Sequence, residues 1–167
     1  MINVTNDSTW EANPRINQGI IAWHRTNTGN ITDIWFTDLY AATPNIVQIT
    51  DSAAYDDRVA AVGDWIVVWT SRLQTAPFPE DRFYSPVNQG GTEVVRVTDD
   101  GAGKTHIGIA GEKIVWRAGG HIFVFDTADP EQGIRQLSED GTSNNQPCIS
   151  ATAAVWISDY DVYALRW

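Results

Sequence analysis

The amino-acid sequence predicts an all-β fold, a β-propeller of four blades with four antiparallel strands in each. Three observations predict it: a pattern repeated four times, repeat spacings of blade length, and strand-forming composition within every unit. The pattern is an apolar residue followed seven positions later by a tryptophan that closes a short apolar run. It reads Ile16 to Trp23, Val62 to Trp69, Ile109 to Trp116 and Ile149 to Trp156. Successive tryptophans lie 46, 47 and 40 residues apart, in the range of propeller blades and solenoid units. Thr5, Thr50, Thr98 and Ser138 precede them by 18, 19, 18 and 18 residues. The runs are short, β-branched and aromatic, with Gly, Asn, Asp and Pro between them, which is how strands of an all-β array read.

The 167 residues read as a single domain, with blade units at 14–50, 58–98, 105–138 and 146–167 and a closing strand at 1–5. The first unit places its strands around residues 14–18 and 20–24, then at Asp33 to Leu39 and Asn45 to Thr50. The second unit is irregular, with a weak third strand at Arg82 to Tyr84 before Glu93 to Thr98. The third repeats the pattern at His121 to Asp126 and Ile134 to Ser138. Runs such as Ile114-Val115-Trp116 are apolar at successive positions, so both faces of these strands need cover. Sheets stacked face to face around an axis provide it. The last unit stops after Asp161 to Trp167, whereas the chain opens with an orphan strand, Ile2 to Thr5. Pairing the two completes the fourth blade and leaves no long open edge. Small residues flank the innermost apolar positions, Ala61 and Gly63, Gly108 and Ala110, Cys148 and Ser150, as a crowded axis requires. Arg15 and Asn17 are the exception.

Composition narrows the function classes. Eleven Lys and Arg stand against 21 Asp and Glu, a formal charge of -10. Nucleic-acid binders need clustered cations, so a nucleic-acid partner is not expected. No apolar stretch is long enough to span a bilayer, so membrane insertion is not expected either. The one cysteine, Cys148, permits no internal disulfide, so the fold requires no oxidising compartment. The opening Met-Ile-Asn-Val-Thr lacks a basic and then apolar leader pattern.

Units of the form Pro-x-Ile-x-Gly-x-x-Val-x-Trp, followed by an Asp-Ile-Tyr-like strand and then Gln-Leu-Thr, resemble the TolB-type β-propeller repeat. The residues that carry the likeness are Pro14 and Pro147, Gly19, Gly63 and Gly111, the four tryptophans, Asp33-Ile34-Trp35, Asp161-Val162-Tyr163, Gln48-Ile49-Thr50 and Gln136-Leu137-Ser138. The likeness spans essentially the whole chain. Two features depart from it: the family usually closes with six or more blades, and the second unit lacks the Asp-Ile-Tyr element. The resemblance points to periplasmic or secreted relatives and leaves the ligand open.

In a four-stranded antiparallel blade, the loops from fourth to first strand and from second to third emerge on one face. That face carries the longer loops, and loops on a rigid scaffold are where binding residues concentrate. Trp10 and Tyr55 occupy equivalent positions there, beside the loop that carries Arg72 and Phe78. Aromatic rings with an arginine suit a sugar ring or a peptide side chain. The alternative role of Trp10 and Tyr55 is to cover the blade ends. The same rim carries Asp57 among nine carboxylates, suited to cationic partners or to building turns. Arg15, beside the axis, reads as a structural plug or an anion contact.

No catalytic residue, cofactor or metal site is expected. Gly101-Ala-Gly-Lys-Thr105 lacks the first glycine of a phosphate-binding loop and is followed by strand residues. His24, His106 and His121 fall in different blades without ligand spacing. The leading expectation is therefore a non-catalytic module that binds a protein, peptide or carbohydrate, as a monomer in preference to a homodimer. The alternatives are an oligomerising unit of a larger ring and a hydrolase or lyase built on a propeller.

Overall fold

The computed structural model describes residues 3–27, 31–51, 55–73, 80–88, 93–139 and 142–167, with backbone alone at Tyr55 and Asp56. Four antiparallel sheets follow one another along the chain. The first is β1 (Glu11–Asn17), β2 (Ile20–Thr26), β3 (Thr32–Asp38) and β4 (Val47–Gln48). The second is β5 (Tyr55–Val62), β6 (Ile66–Leu73), β7 (Glu80–Pro86) and β8 (Val95–Arg96). The third is β9 (Lys104–Ala110), β10 (Lys113–Ala118), β11 (His121–Asp126) and β12 (Arg135–Gln136). The last is β13 (Asn144–Ser150), β14 (Ala153–Ser158) and β15 (Asp161–Arg166). Each sheet is a simple meander whose spatial order is its chain order, the propeller-blade arrangement that the repeat predicts. Among the described residues no helix is long and apolar enough to cross a membrane.

The second strand of each sheet explains why the sheets stack. Along β6, Val67 and Trp69 belong to an apolar cluster shared with Ile20, Ala22, Ile34 and Phe36 of the first sheet. The alternate residues Ile66 and Val68 join Ile114, Trp116 and Phe125 of the third. One strand thus feeds two cores, because side chains alternate across it and both alternations are apolar. A third cluster joins Val115 and Val124 to Ala154 of the last sheet.

The first strands β1, β5, β9 and β13 pack against one another in succession and form the inner side. Their small residues are required there. A Cβ on Gly63 would meet Ile109 Cδ1 at 2.9 Å, and one on Gly108 would meet Ile149 Cγ2 at 3.2 Å. Cys148 is exposed instead of packed, on a strand of the last sheet described. Gly19, at φ +86°, makes the β1–β2 turn, where an L side chain is strained and would also strike the Tyr40 ring.

A hydroxyl fixes the outer part of three sheets. Thr50 Oγ1 accepts the Ile34 N–H at 2.9 Å, Thr98 Oγ1 accepts that of Arg82 at 3.0 Å, and Ser138 Oγ accepts that of Ile122 at 3.0 Å. Each bond ties the end of a short fourth strand to the start of the third. The second unit, irregular in sequence, obeys the same rule. Asp81-Arg82-Phe83 takes the position of Asp33-Ile34-Trp35, and β7 pairs with β6 over seven residues. Buried Arg82 stands where the other sheets have Ile34, Ile122 and Val162, its guanidinium donating to the carbonyls of Asp81 and Lys104.

The expected closure is not shown. The last sheet has three strands, and among the described residues no hydrogen bond joins Thr5 to β15; Ile2 lies outside them. The last sheet packs on the third and, among the described residues, makes no extensive contact with the first. Val4 and Thr5 instead lie near Pro14, Ile21 and Trp23 of the first sheet.

Truncation of Trp116, 1% exposed between two sheets, is expected to destabilise the fold by about 3–5 kcal/mol. Thr98→Val strands the Arg82 N–H and is expected to cost about 1–3 kcal/mol. Equilibrium urea unfolding checks both.

Candidate functional site

The inner ladder of every sheet carries a register shift beside its tryptophan, at Ala12/Arg15, Val59/Ala61, Val115/Arg117 and Asn145/Cys148. A bulge bends its strand and re-aims the side chains next to it. Just outside it lie Glu11, Asp57, Lys104 and Asn144, each paired with the residue two beyond the tryptophan, Arg25, Ser71, Ala118 and Ser158. One scaffold position therefore carries four different polar groups on the loop face.

Beside this position three equivalent clefts open. Each is walled by a Thr of the hydroxyl series and floored by a repeat tryptophan. The first, of about 300 Å³, holds Thr5, Glu11 and Trp23. The Trp23 indole N–H donates to Glu11 Oε1 at 3.2 Å, and Arg25 pairs with Asp7. The third, of about 260 Å³, holds Thr98, Trp116, Asp100, Lys104 and His121. Lys104, buried, forms an ion pair with Asp100 and donates to the Ala102 carbonyl at 2.8 Å.

The second cleft, between the first two sheets, is the largest at about 430 Å³. Trp69 and Phe83 form an aromatic wall, stacked 6.0 Å apart with an interplanar angle of 15°. Asp51, Asp57, Asp81 and Arg96 supply its charged groups. Asp81 is held firmly: Oδ2 accepts from Arg96 at 2.6 Å, and Oδ1 accepts from Thr98 Oγ1 at 3.1 Å and the Gly101 N–H at 3.2 Å. Asp57 is buried, and its carbonyl accepts the Thr32 hydroxyl at 2.7 Å, which ties the cleft's two sheets together. Asp51 is exposed at the rim. Three carboxylates and one guanidinium thus line one cleft with an aromatic wall.

The residues expected from sequence are distributed unevenly. Asp57 lines the second cleft. Tyr55 and Arg72 lie farther along the same hairpin, paired with Leu73 and Asp56, and Arg72 reaches Glu80 at 3.9 Å. The Tyr55 side chain and the whole of Phe78 lie outside the described residues. Trp10 is 61% exposed, its ring 5.9 Å from that of His24 on the first sheet, and it does not line the cleft. Arg15 is exposed on β1 beyond the bulge, donating to the Pro14 carbonyl at 3.2 Å, and is not brought to the others. Sequence reasoning missed Asp81 and Arg96. Their signal was present: Asp81 precedes Phe83 as Asp33 precedes Trp35, and Arg96 precedes Thr98 as Gln48 precedes Thr50. Among the described residues no group of three His, Cys, Asp or Glu side chains has the geometry to hold a metal ion.

No family model and no curated protein sequence matches the chain. Solved structures do. A protein described as TolB from Agrobacterium tumefaciens superposes with a TM-score of 0.56 at 12% identity, over 89% of this chain and 57% of that one. The β-propeller domain of the Trilobed protease from Pyrococcus furiosus gives 0.59 at 8% identity, over 95% and 54%. A puromycin-hydrolyzing peptidase from Mycobacterium tuberculosis gives 0.60 at 12% identity, over 99% and 28%. The fold is that of β-propeller proteins, TolB among them, and the chain spans about half the length of the first two.

The carboxyl pKa of Asp100 is shifted by burial, which raises it, and more than reversed by hydrogen bonds from Lys104 and the Ala102 N–H; it ends below the ordinary value of 3.8. A carboxyl lowered on folding contributes stability above its unfolded value and loses it as pH falls through the folded one. Asp100→Asn is expected to destabilise by about 1 kcal/mol at neutral pH, given the solvent exposure of Asp100. It is also expected to make less difference as pH drops below 3.8. Urea unfolding of both proteins across an acid pH series checks the sign.

Proposed function

We propose that the chain is a non-catalytic binding module whose second cleft receives a cationic side chain of a peptide or protein partner. The observation that carries this reading is the pairing of three carboxylates, one guanidinium and a Trp69–Phe83 wall within one cleft of about 430 Å³. Excess carboxylate favours an ammonium or guanidinium head, and aromatic faces favour both the cation and its aliphatic stem. The chain's charge of -10 adds long-range attraction for a basic partner. Asp81 is engaged by Arg96, Thr98 and Gly101, which suits a fixed recognition group.

Isothermal titration calorimetry with short peptides containing Arg or Lys tests the reading. Binding is expected to weaken as salt rises. Asp51→Asn, an exposed change, is expected to lower affinity about threefold to tenfold, and Asp57→Asn to lower it at least as much. Equal binding of an acidic control peptide, or affinities unmoved by both substitutions, would overturn it.

A further inference from the structure

The two ends of the array expose complementary halves of a contact that occurs three times inside it. Toward the following sheet, each sheet presents the residue before its tryptophan and an aligned residue of its third strand. These are Ala22 and Ile34, Val68 and Arg82, and Val115 and Ile122, all no more than 1% exposed. In the last sheet the same positions are Val155 and Val162, 38% and 78% exposed. Toward the preceding sheet, each sheet presents the residue that opens the repeat. Val62, Ile109 and Ile149 pack into the three clusters, whereas Ile16 is 64% exposed.

The fourth-strand position of the last sheet is empty in the same sense. Gln48, Arg96 and Gln136 pair with Trp35, Phe83 and Phe123. Tyr163, stacked on Trp156 at 6.2 Å, has no such neighbour among the described strands. Residues 3–5, Asn-Val-Thr, carry the spacing of the missing strand and its hydroxyl, yet lie at the opposite end of the array. Among the described residues this end makes no hydrogen bond to β15 and the first and last sheets make no extensive contact, and the array matches about half of a propeller domain.

We infer that a second copy of this chain covers both ends. The last sheet of each copy docks on the first sheet of the other, and residues 3–5 of each complete the other's last sheet. Both contacts are head-to-tail, and such contacts close into a ring when the rotation permits, here a ring of eight sheets. Thr5 then accepts the Val162 N–H as Thr50 accepts that of Ile34, and the unpaired edge of β15 disappears.

Light scattering after size exclusion, across a concentration series, is expected to give twice the chain mass of 18.5 kDa. Val155→Glu and Ile16→Lys, introduced into separate chains at exposed positions, are each expected to give a folded monomer, with folding checked by thermal unfolding. Mixing the two variants is expected to restore a one-to-one dimer, because one contact then joins Glu to Lys and the other remains native. A wild-type monomer throughout, a mass that climbs without limit, or variants that stay monomeric when mixed would overturn the inference.

Discussion

Strands β6 and β10 bury apolar residues on both of their faces, and the rest of the structure answers to that requirement. An amphipathic strand is satisfied by one core, but a strand apolar at every position needs a layer on each side. With Val67 and Trp69 committed to one cluster and Ile66 and Val68 to the next, a sheet cannot be shielded by a single neighbour. Stacking follows, and with it the crowding that forces glycine at Gly63 and Gly108. The hydroxyl bonds of Thr50, Thr98 and Ser138 then hold the two-residue outer strands, which are too short to be secured by their ladder alone.

The same framework separates the core from the chemistry of the clefts. Trp69 and Trp116 lie in the apolar clusters that join neighbouring sheets, and Trp23 and Trp156 hold the same register position in their own sheets, while Glu11, Asp57, Lys104 and Asn144 differ at one equivalent position. A change there alters the chemistry of a cleft without altering the core. Asp81 links the two roles. It anchors Thr98 and Gly101 within the second sheet and also presents its carboxylate, with Arg96, to the cleft. Arg82 shows the limit of such freedom. Burial holds its pKa down to about 10 against the pull of Glu80 and Asp81. Its charge is tolerated because the backbone carbonyls of Asp81 and Lys104 accept from it.

The fold was legible because its cause is periodic. A residue that fills one inter-sheet space recurs with the space, so Trp23 to Trp156 mark four sheets without reference to contacts. The third strand of the second unit was obscured because Arg82 replaces an apolar residue, and hydrophobic pattern alone cannot register a buried arginine served by carbonyls. The site was legible only where loop position decided it, as for Asp57. Asp81 and Arg96 reach the cleft through alternation within β7 and β8. Trp10 and Arg15 were singled out by residue type, yet neither lies against the acidic cleft, since each belongs to the far edge or the turn end of the first sheet.

Exposure along the array follows rank in the stack and not residue chemistry. Ile34, Ile122 and Val162 share one register position and one apolar character, and only the last meets solvent. A surface evolved for solvent carries charge or proline on its final strand, whereas β15 places Val162, Tyr163 and Leu165 at an open edge and face. The exposed apolar side chains of the last sheet are thus those of an interior position. Because the clefts open at the loop ends of the strands while these side chains lie on the sheet face, covering the face leaves the acidic cleft between the first two sheets accessible. The proposed assembly and the proposed recognition would use different surfaces of the same repeat.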